Sequence, residues 1–320
     1  MRTLVLFGVA GMLAQLVDGS LGMAFGVTAT TTLVTVGTAP AVASAAVHLA
    51  EVGTSLASGA AHWRFRNIDW PTVGMLAVPG AVGAVLGAYV LTSLPSGLAE
   101  VWITVVLLSL GAYVLVRFSF LRLGTFAASR RPGARFLAPL GVVAGFVDAS
   151  GGGGWGPVAT TTLLSSGRLE PRKVVGSVDT SEFVVALAAG IGFLVTLSGQ
   201  EGLNYTVVLG LMIGGVVAAP VAAWLVRLLP PRVLGSAAGG LIVFTNARSL
   251  LRATDASTGV TTAVLAAVVV LWAAGLASAI RSVRQERRTG GTTAAQDGGT
   301  AATATVLGAE TSVRERKPVR

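Results

Sequence analysis

Asp18-Gly-Ser-Leu-Gly-Met-Ala-Phe-Gly-Val-Thr-Ala-Thr-Thr-Thr-Leu33 returns 130 residues later as Asp148-Ala-Ser-Gly-Gly-Gly-Gly-Trp-Gly-Pro-Val-Ala-Thr-Thr-Thr-Leu163. The aspartate, the serine, two glycines and the Ala-Thr-Thr-Thr-Leu run coincide. Further matches follow in order. At an offset of 131, Pro40 meets Pro171, Val47 meets Val178, Glu51 meets Glu182 and Gly59 meets Gly190; at 135, Leu94-Pro95 meets Leu229-Pro230 and Arg117 meets Arg252. A composition rich in Ala, Gly and Val can imitate part of this, but it does not place acids and prolines in register. The chain therefore reads as a duplication, and the quoted stretch opens each copy.

Around these stretches the chain is apolar. Of 320 residues, 53% are hydrophobic and 12% charged, and the mean hydropathy is +0.76. Soluble domains carry about twice that charge, so this surface is too apolar to face water all round. Runs long enough to cross ~30 Å of hydrocarbon as helix occur at 40–61, 70–94, 97–117, 171–198, 203–229, 232–252 and 260–280. Segments 3–36 and 136–166 differ: each is too long for one span, too short for two, and broken by an aspartate and glycines. The fold class expected is all-α, a polytopic transmembrane bundle of two homologous repeats, each opened by a broken or re-entrant segment. Repeat one covers 1–125 and repeat two 126–255; 256–281 is an extra transmembrane helix. Residues 282–320, rich in Gly, Thr, Ala and charge, form a disordered basic cytoplasmic tail. The apolar run after Arg2 imitates a secretory signal, but its recurrence inside the chain assigns it to the fold.

The formal charge of +9 sits mainly in loops and tail, where it sets orientation rather than binding nucleic acid. Arg64 and Arg66, Arg117 to Arg135, Arg168 to Lys173, Arg227 with Arg232, and Arg281 to Arg288 mark cytoplasmic loops. The loops near Ser93–Ser96 and Ser198–Asn204 lack basic residues and read as external; Arg248 and Arg252 fit poorly. If the broken segments are hairpins, each repeat crosses three times and the second is inverted, the plan of many secondary transporters. If they cross fully, the repeats are parallel. Hairpins are the expectation. The setting is a cell (inner or plasma) membrane, crossed many times.

Chemistry-bearing residues within the apolar runs are Asp18, Glu51, Asp148, Asp179, Glu182 and His48, with no Lys or Arg well inside any span. A charge at mid-bilayer costs at least ~2.5–3.5 kcal/mol, so these acids are expected to be protonated, cation-bound or in a wet cavity. Asp18 and Asp148 precede new helical runs and also suit helix capping. His48 and Glu51, and their counterparts Asp179 and Glu182, are three apart and share helix faces, as a cavity or as interhelical contacts. The run Ser150-Gly151-Gly152-Gly153-Gly154-Trp155-Gly156-Pro157 disfavours helix. It offers free backbone N–H groups to an anion, or serves as a hinge. No Gly-Lys-Ser/Thr follows it, so it is no nucleotide loop. Trp155 closes the site or packs, and Thr30–Thr32 and Thr160–Thr162 line the path or bond their own helices. Absence of cysteine excludes disulfides, structural zinc and thiol chemistry. Neither cofactor nor metal is expected.

At these residues the chain resembles a known family. Asp18…Gly22…Gly26 with Ser44-Ala-Ala-Val-His48-Leu-Ala-Glu51, and Gly151-Gly-Gly-Gly-Trp155-Gly-Pro157 followed by Val175-Gly-Ser-Val-Asp-Thr-Ser-Glu182-Phe, look like the sulfite exporter TauE/SafE family. The resemblance covers about 4–280. It implies duplicated transmembrane units and secondary transport, as an exporter, of a small anion such as sulfite, thiosulfate or an organosulfonate. Repeat one carries Leu21, Met23 and Ala24 where repeat two has glycines, so repeat two is expected to dominate binding. Expected substrate contacts are Asp18, Ser20, Gly22, His48, Asp148, Ser150, Gly151, Gly152, Gly153, Gly154 and Trp155; coupling, to protons, falls to Glu51, Asp179 and Glu182. A passive anion channel and an intramembrane aspartyl protease built on Asp18 and Asp148 are the alternatives. The latter lacks Gly-x-Gly-Asp, since Gly145-Phe-Val precedes Asp148.

Overall fold

The computed structural model describes residues 2–21, 23–121, 131–198, 202–225 and 230–285. Among them the chain is helical throughout, with no strand. The first broken segment is α1 (Arg2–Leu21) and α2 (Phe25–Thr35); α3 (Pro40–Arg64), α4 (Trp70–Ser93) and α5 (Ser96–Ser119) follow. The second broken segment is α6 (Ala134–Gly151), a π-helical turn (Gly156–Thr160) and α7 (Thr161–Ser166). After it come α8 (Pro171–Thr196), α9 (Tyr205–Leu225) and α10 (Pro231–Ala253), then α11 (Thr258–Gln285). The seven expected spans are α3, α4, α5, α8, α9, α10 and α11. Each has at least the ~20 residues that cross a bilayer core. Four apolar stretches pass as spans on length and hydropathy alone: α4, α5, α11 and Arg172–Thr196 of α8. The expected tail lies almost wholly outside the described residues.

Local chemistry sets the helix starts. Pro40, Pro171 and Pro231 open α3, α8 and α10, where the missing N–H costs nothing. Asp69 caps α4, accepting the Thr72 amide at 3.3 Å and its hydroxyl at 2.8 Å.

Packing between helices rests on glycine. A Cβ on Gly83, Gly87, Gly141 or Gly145 would run into the facing backbone of α4 or α6, and one on Gly11 or Gly214 into that of α9 or α1. Such close approach is how helices associate in lipid, where no hydrophobic force draws them together. The contacts also give directions. Gly141 meets Leu76 and Gly87 meets Ser150, so α6 and α4 run parallel. Gly210 meets Leu4 and Gly215 meets Gln15, so α1 and α9 do too. Gly190 faces Leu49 while Gly59 faces Thr180, so α3 and α8 are antiparallel; Gly111 against Ile242 and Gly235 against Phe118 make α5 and α10 antiparallel.

The second broken segment folds back on itself. The Arg168 guanidinium after α7 lies 5.3 Å over the Phe136 ring at the start of α6. At that end Arg131 pairs with Asp69 at 3.1 Å, the Asp69 amide donates to Ser177 at 2.8 Å, and Lys173 Nζ donates to the carbonyls of Arg66 and Ile68 at 2.8 and 3.0 Å. Three of the basic loops read as cytoplasmic therefore share one end of the bundle. Helix α11 docks on the outside, with Trp272 against Gly240 and the Ser278 hydroxyl bonded to the Ser119 carbonyl at 3.0 Å.

Candidate functional site

The two broken segments cross at their breaks. A Cβ on Gly153 would strike Gly26 and Val27, one on Gly156 would strike Met23, and the Thr30 hydroxyl donates to the Gly152 carbonyl. Gly152 and Gly153 hold φ of +72° and +138°, backbone that glycine adopts without strain. Here it lets one chain lie directly on the other.

Both breaks are closed the same way. Asp148 Oδ1 accepts the amides of Gly154 at 2.7 Å and Trp155 at 3.0 Å. Asp18 Oδ1 accepts those of Ala24 at 2.7 Å and Phe25 at 3.1 Å. Each aspartate ends one half-helix and satisfies the first free N–H groups of the next. These are the donors that sequence reasoning offered to an anion, so the structure fills them with carboxylate. The two carboxyls are thus committed to backbone rather than to each other, unlike the proton-sharing pair of an aspartyl protease.

A cavity lies where the segments meet, lined by Met23 to Val27, Glu51, Asp148, Gly153 to Pro157 and Glu182. Its free space is about that of one water. Glu51 and Glu182 each sit eleven residues into their helices, ~16 Å along, which is half the depth of a bilayer core. Both Glu51 oxygens are buried without a hydrogen-bond partner. His48, fully buried, bridges towards them. Its Nδ1 is 2.8 Å from the Ser44 carbonyl and must carry hydrogen, since a carbonyl only accepts. Its Nε2 is 3.2 Å from Asp148 Oδ2 and 4.0 Å from Glu51 Oε2. Three atoms that carry lone pairs cannot face one another bare, so the cluster holds at least one proton or a cation. His48, Glu51 and Asp148 also offer ligand atoms within 4.8 Å of one another, a metal-capable trio that sequence reasoning did not expect.

Trp155 lines the cavity as a packed wall, fully buried, with its indole N–H given to the Val178 carbonyl at 3.0 Å. Other expected residues lie apart from it. Gly151 faces Val106 and Gly152 faces Thr30; the Ser150 hydroxyl is bonded to Phe146 of its own helix at 2.6 Å. Asp179 lies one turn from the cavity, 3.6 Å from His62 Nε2, a histidine that sequence reasoning passed over. Gly22 and the Ser20 side chain are outside the described residues. The threonines tie segments together: besides Thr30, Thr32 bonds Thr28 of its own helix at 2.8 Å, and Thr31 accepts from Asn246 at 3.0 Å.

Residues 7–249 match the family model described as Sulfite exporter TauE/SafE. The chain belongs to that family. It is also similar to the Probable membrane transporter protein YtnM of Bacillus subtilis (strain 168), with 50% identity over 273 residues, which is 85% of this chain and 91% of the relative. No solved structure matches. The TauE/SafE chain is accordingly a membrane transporter, and its crossed broken helices bring ionisable side chains together around one cavity.

Proposed function

We propose that this protein is a proton-coupled secondary transporter, an exporter, of a small anion of the sulfite, thiosulfate or organosulfonate class. The observation that carries the reading is the His48–Asp148–Glu51 cluster, which must hold a proton or a cation and borders the cavity about half-way along α3. Protons on this cluster cancel the negative charge that otherwise repels an anion. Binding of the anion and occupancy of the cluster by protons are therefore linked. The antiparallel pairing of α3 with α8 and of α5 with α10, and the matched caps at Asp18 and Asp148, support two inverted repeats working by alternating access. Because the cavity has room for about one water, it must widen before a solute of this class can enter. That favours a carrier over a passive channel.

Reconstituted vesicles test this. Sulfite, thiosulfate and methanesulfonate flux is measured with and without an imposed pH gradient. The expected outcome is saturable flux of one of them, accelerated by the gradient, and loss of that acceleration in Glu51→Gln. Flux indifferent to the gradient counts against coupling. The same cluster also fits a small cation, a second reading favoured by its close ligand spacing; replacing the pH gradient by a sodium gradient separates the two.

A further inference from the structure

Helix α3 carries more polar groups than the cavity uses. His48, Glu51, Ser55, Ser58 and His62 recur at spacings of three and four, so they share one face. That face looks towards α8. The Ser55 hydroxyl donates to the Glu51 carbonyl, Ser58 contacts the Asp179 carboxyl, and His62 Nε2 stands 3.6 Å from Asp179 Oδ2. On α8, Asp179 lies one turn from Glu182, which borders the cavity together with Glu51. At the outer limit the His62 side chain is 23% exposed, and Asn67 Nδ2 lies 3.5 Å from its Nδ1. With Asn67 as donor, neutral His62 keeps its proton on Nε2, towards Asp179. The opposite half of α3, from Pro40 to Val47, offers one polar side chain, Ser44, whose hydroxyl is bonded to the Ala149 carbonyl at 2.7 Å. The polar stripe thus runs to one end of the bundle.

We propose that this stripe is the proton pathway between the cavity and the end bearing Arg64, Arg131 and Lys173, with the His62–Asp179 pair as its mouth. The proposal rests on the proton-coupled reading above. An imidazole takes a proton on one nitrogen and releases one from the other; a carboxyl and a hydroxyl each accept and pass one on. Gaps of 3.6 and 4.0 Å close to direct hydrogen bonds with small side-chain movements. Charged groups surrounding the mouth are Arg64 at the end of α3 and Arg66 just after it, Glu170 just before α8, paired with Arg172 at 2.7 Å, and Lys173 at the start of α8. Helix α4, packed on α8, presents Asp69, which is paired with Arg131. Helix α9, packed on α3, has no titratable side chain besides Tyr205 at its far end. Deeper in, Asp18 and Asp148 face Glu182 and Glu51.

The full chain, reconstituted in vesicles with a pH-sensitive dye inside, tests it with sulfite as probe. His62→Asn and Asp179→Asn are expected to slow gradient-driven sulfite flux, and the proton flux accompanying it, about tenfold or more. Sulfite counterflow, which moves no net proton, is expected to stay within about twofold of the unmodified protein in His62→Asn, and Asp179→Glu is expected to retain coupled flux. Unchanged coupled flux in His62→Asn and Asp179→Asn, beside its loss in Glu51→Gln, overturns the pathway and leaves the coupling reading standing. Absence of proton-coupled flux in the unmodified protein overturns both. Loss of counterflow together with coupled flux in His62→Asn marks a structural role and also overturns the pathway.

Discussion

Asp148 performs three tasks with two oxygens: Oδ1 takes two backbone amides and Oδ2 faces His48. Asp148→Asn keeps the shape but puts an uncharged amide in place of the carboxylate. Hydrogen bonds to charged groups contribute roughly 1.5–3 kcal/mol each, so the variant is expected to lose at least that much stability. Thermal unfolding in detergent, followed by tryptophan fluorescence, checks this; an unchanged midpoint would show that the cap is dispensable. Gly153→Ala tests the crossing. The sequence places Gly153 among the expected substrate contacts, but in the structure a Cβ there meets Gly26 and Val27 of the other broken segment. The expected result is therefore loss of folding stability, well beyond that of Gly37→Ala. Gly37 also has positive φ, +92°, but open space around it, so it bears only about 1–2 kcal/mol of backbone strain. Equal losses in the two variants would refute the steric account. The acids and His48 were legible in the sequence because an ionisable group in an apolar run is conspicuous. His62 was not, since it sits at a helix end, where a histidine is unremarkable. Its only signal was the i+14 return to the face of His48. That the aspartates would occupy the backbone donors was legible only as capping chemistry, because the loop geometry that places the amides depends on φ at Gly152 and Gly153.

Among elements, the pairs α4–α6 and α1–α9 are held by glycine on backbone. Gly145→Leu is expected to separate α6 from α4 and to abolish recovery of monodisperse protein on size-exclusion chromatography. Gly74→Leu, on the same helix pair but with nothing within 4 Å, is expected to behave like the unmodified chain. Similar profiles for the two would mean that the close approach is not limiting. Overpacking a filled site costs typically 1–3 kcal/mol, and displacing backbone costs more. The breaks in the two long segments and the helix starts at Pro40, Pro171 and Pro231 were readable from sequence, because glycine and proline act locally. Which helix meets which was not. The glycine content announced close packing in general, but the partner of each glycine depends on tertiary contacts with no local signature. Hairpin or full crossing was likewise open in the sequence; for the second broken segment, Arg168 over Phe136 brings its two ends together.

At the scale of the whole molecule, the basic loops 64–69, 131–135 and 168–173 gather at one end. Single cysteines placed in this cysteine-free chain give the orientation. Ser198→Cys and Asp255→Cys are expected to react with an impermeant maleimide in intact cells, and Arg64→Cys only after permeabilisation. Asp255 is informative because Arg248 and Arg252 lie just before it, on the side that the proposed inverted repeats make external. Labelling of positions 64 and 198 from the same side would defeat inverted repeats. The same end also holds a lock. Lys173 grips two carbonyls of the turn between α3 and α4, Ser177 takes the Asp69 amide, and Arg131 closes on the Asp69 carboxylate. In the alternating-access reading, a solute reaching the cavity from this side must first part α3 from α8, and the Lys173 and Ser177 bonds break when it does. If each contributes ~1 kcal/mol, the open form is on the order of one molecule in a hundred at rest, since each 1.4 kcal/mol is a tenfold change in population. Lys173→Met then acts as a thermodynamic dial. With both of its bonds lost it is expected to raise the open population roughly thirtyfold, read as faster maleimide capture of Ser58→Cys from the Arg64 side, while leaving the cavity's own chemistry untouched.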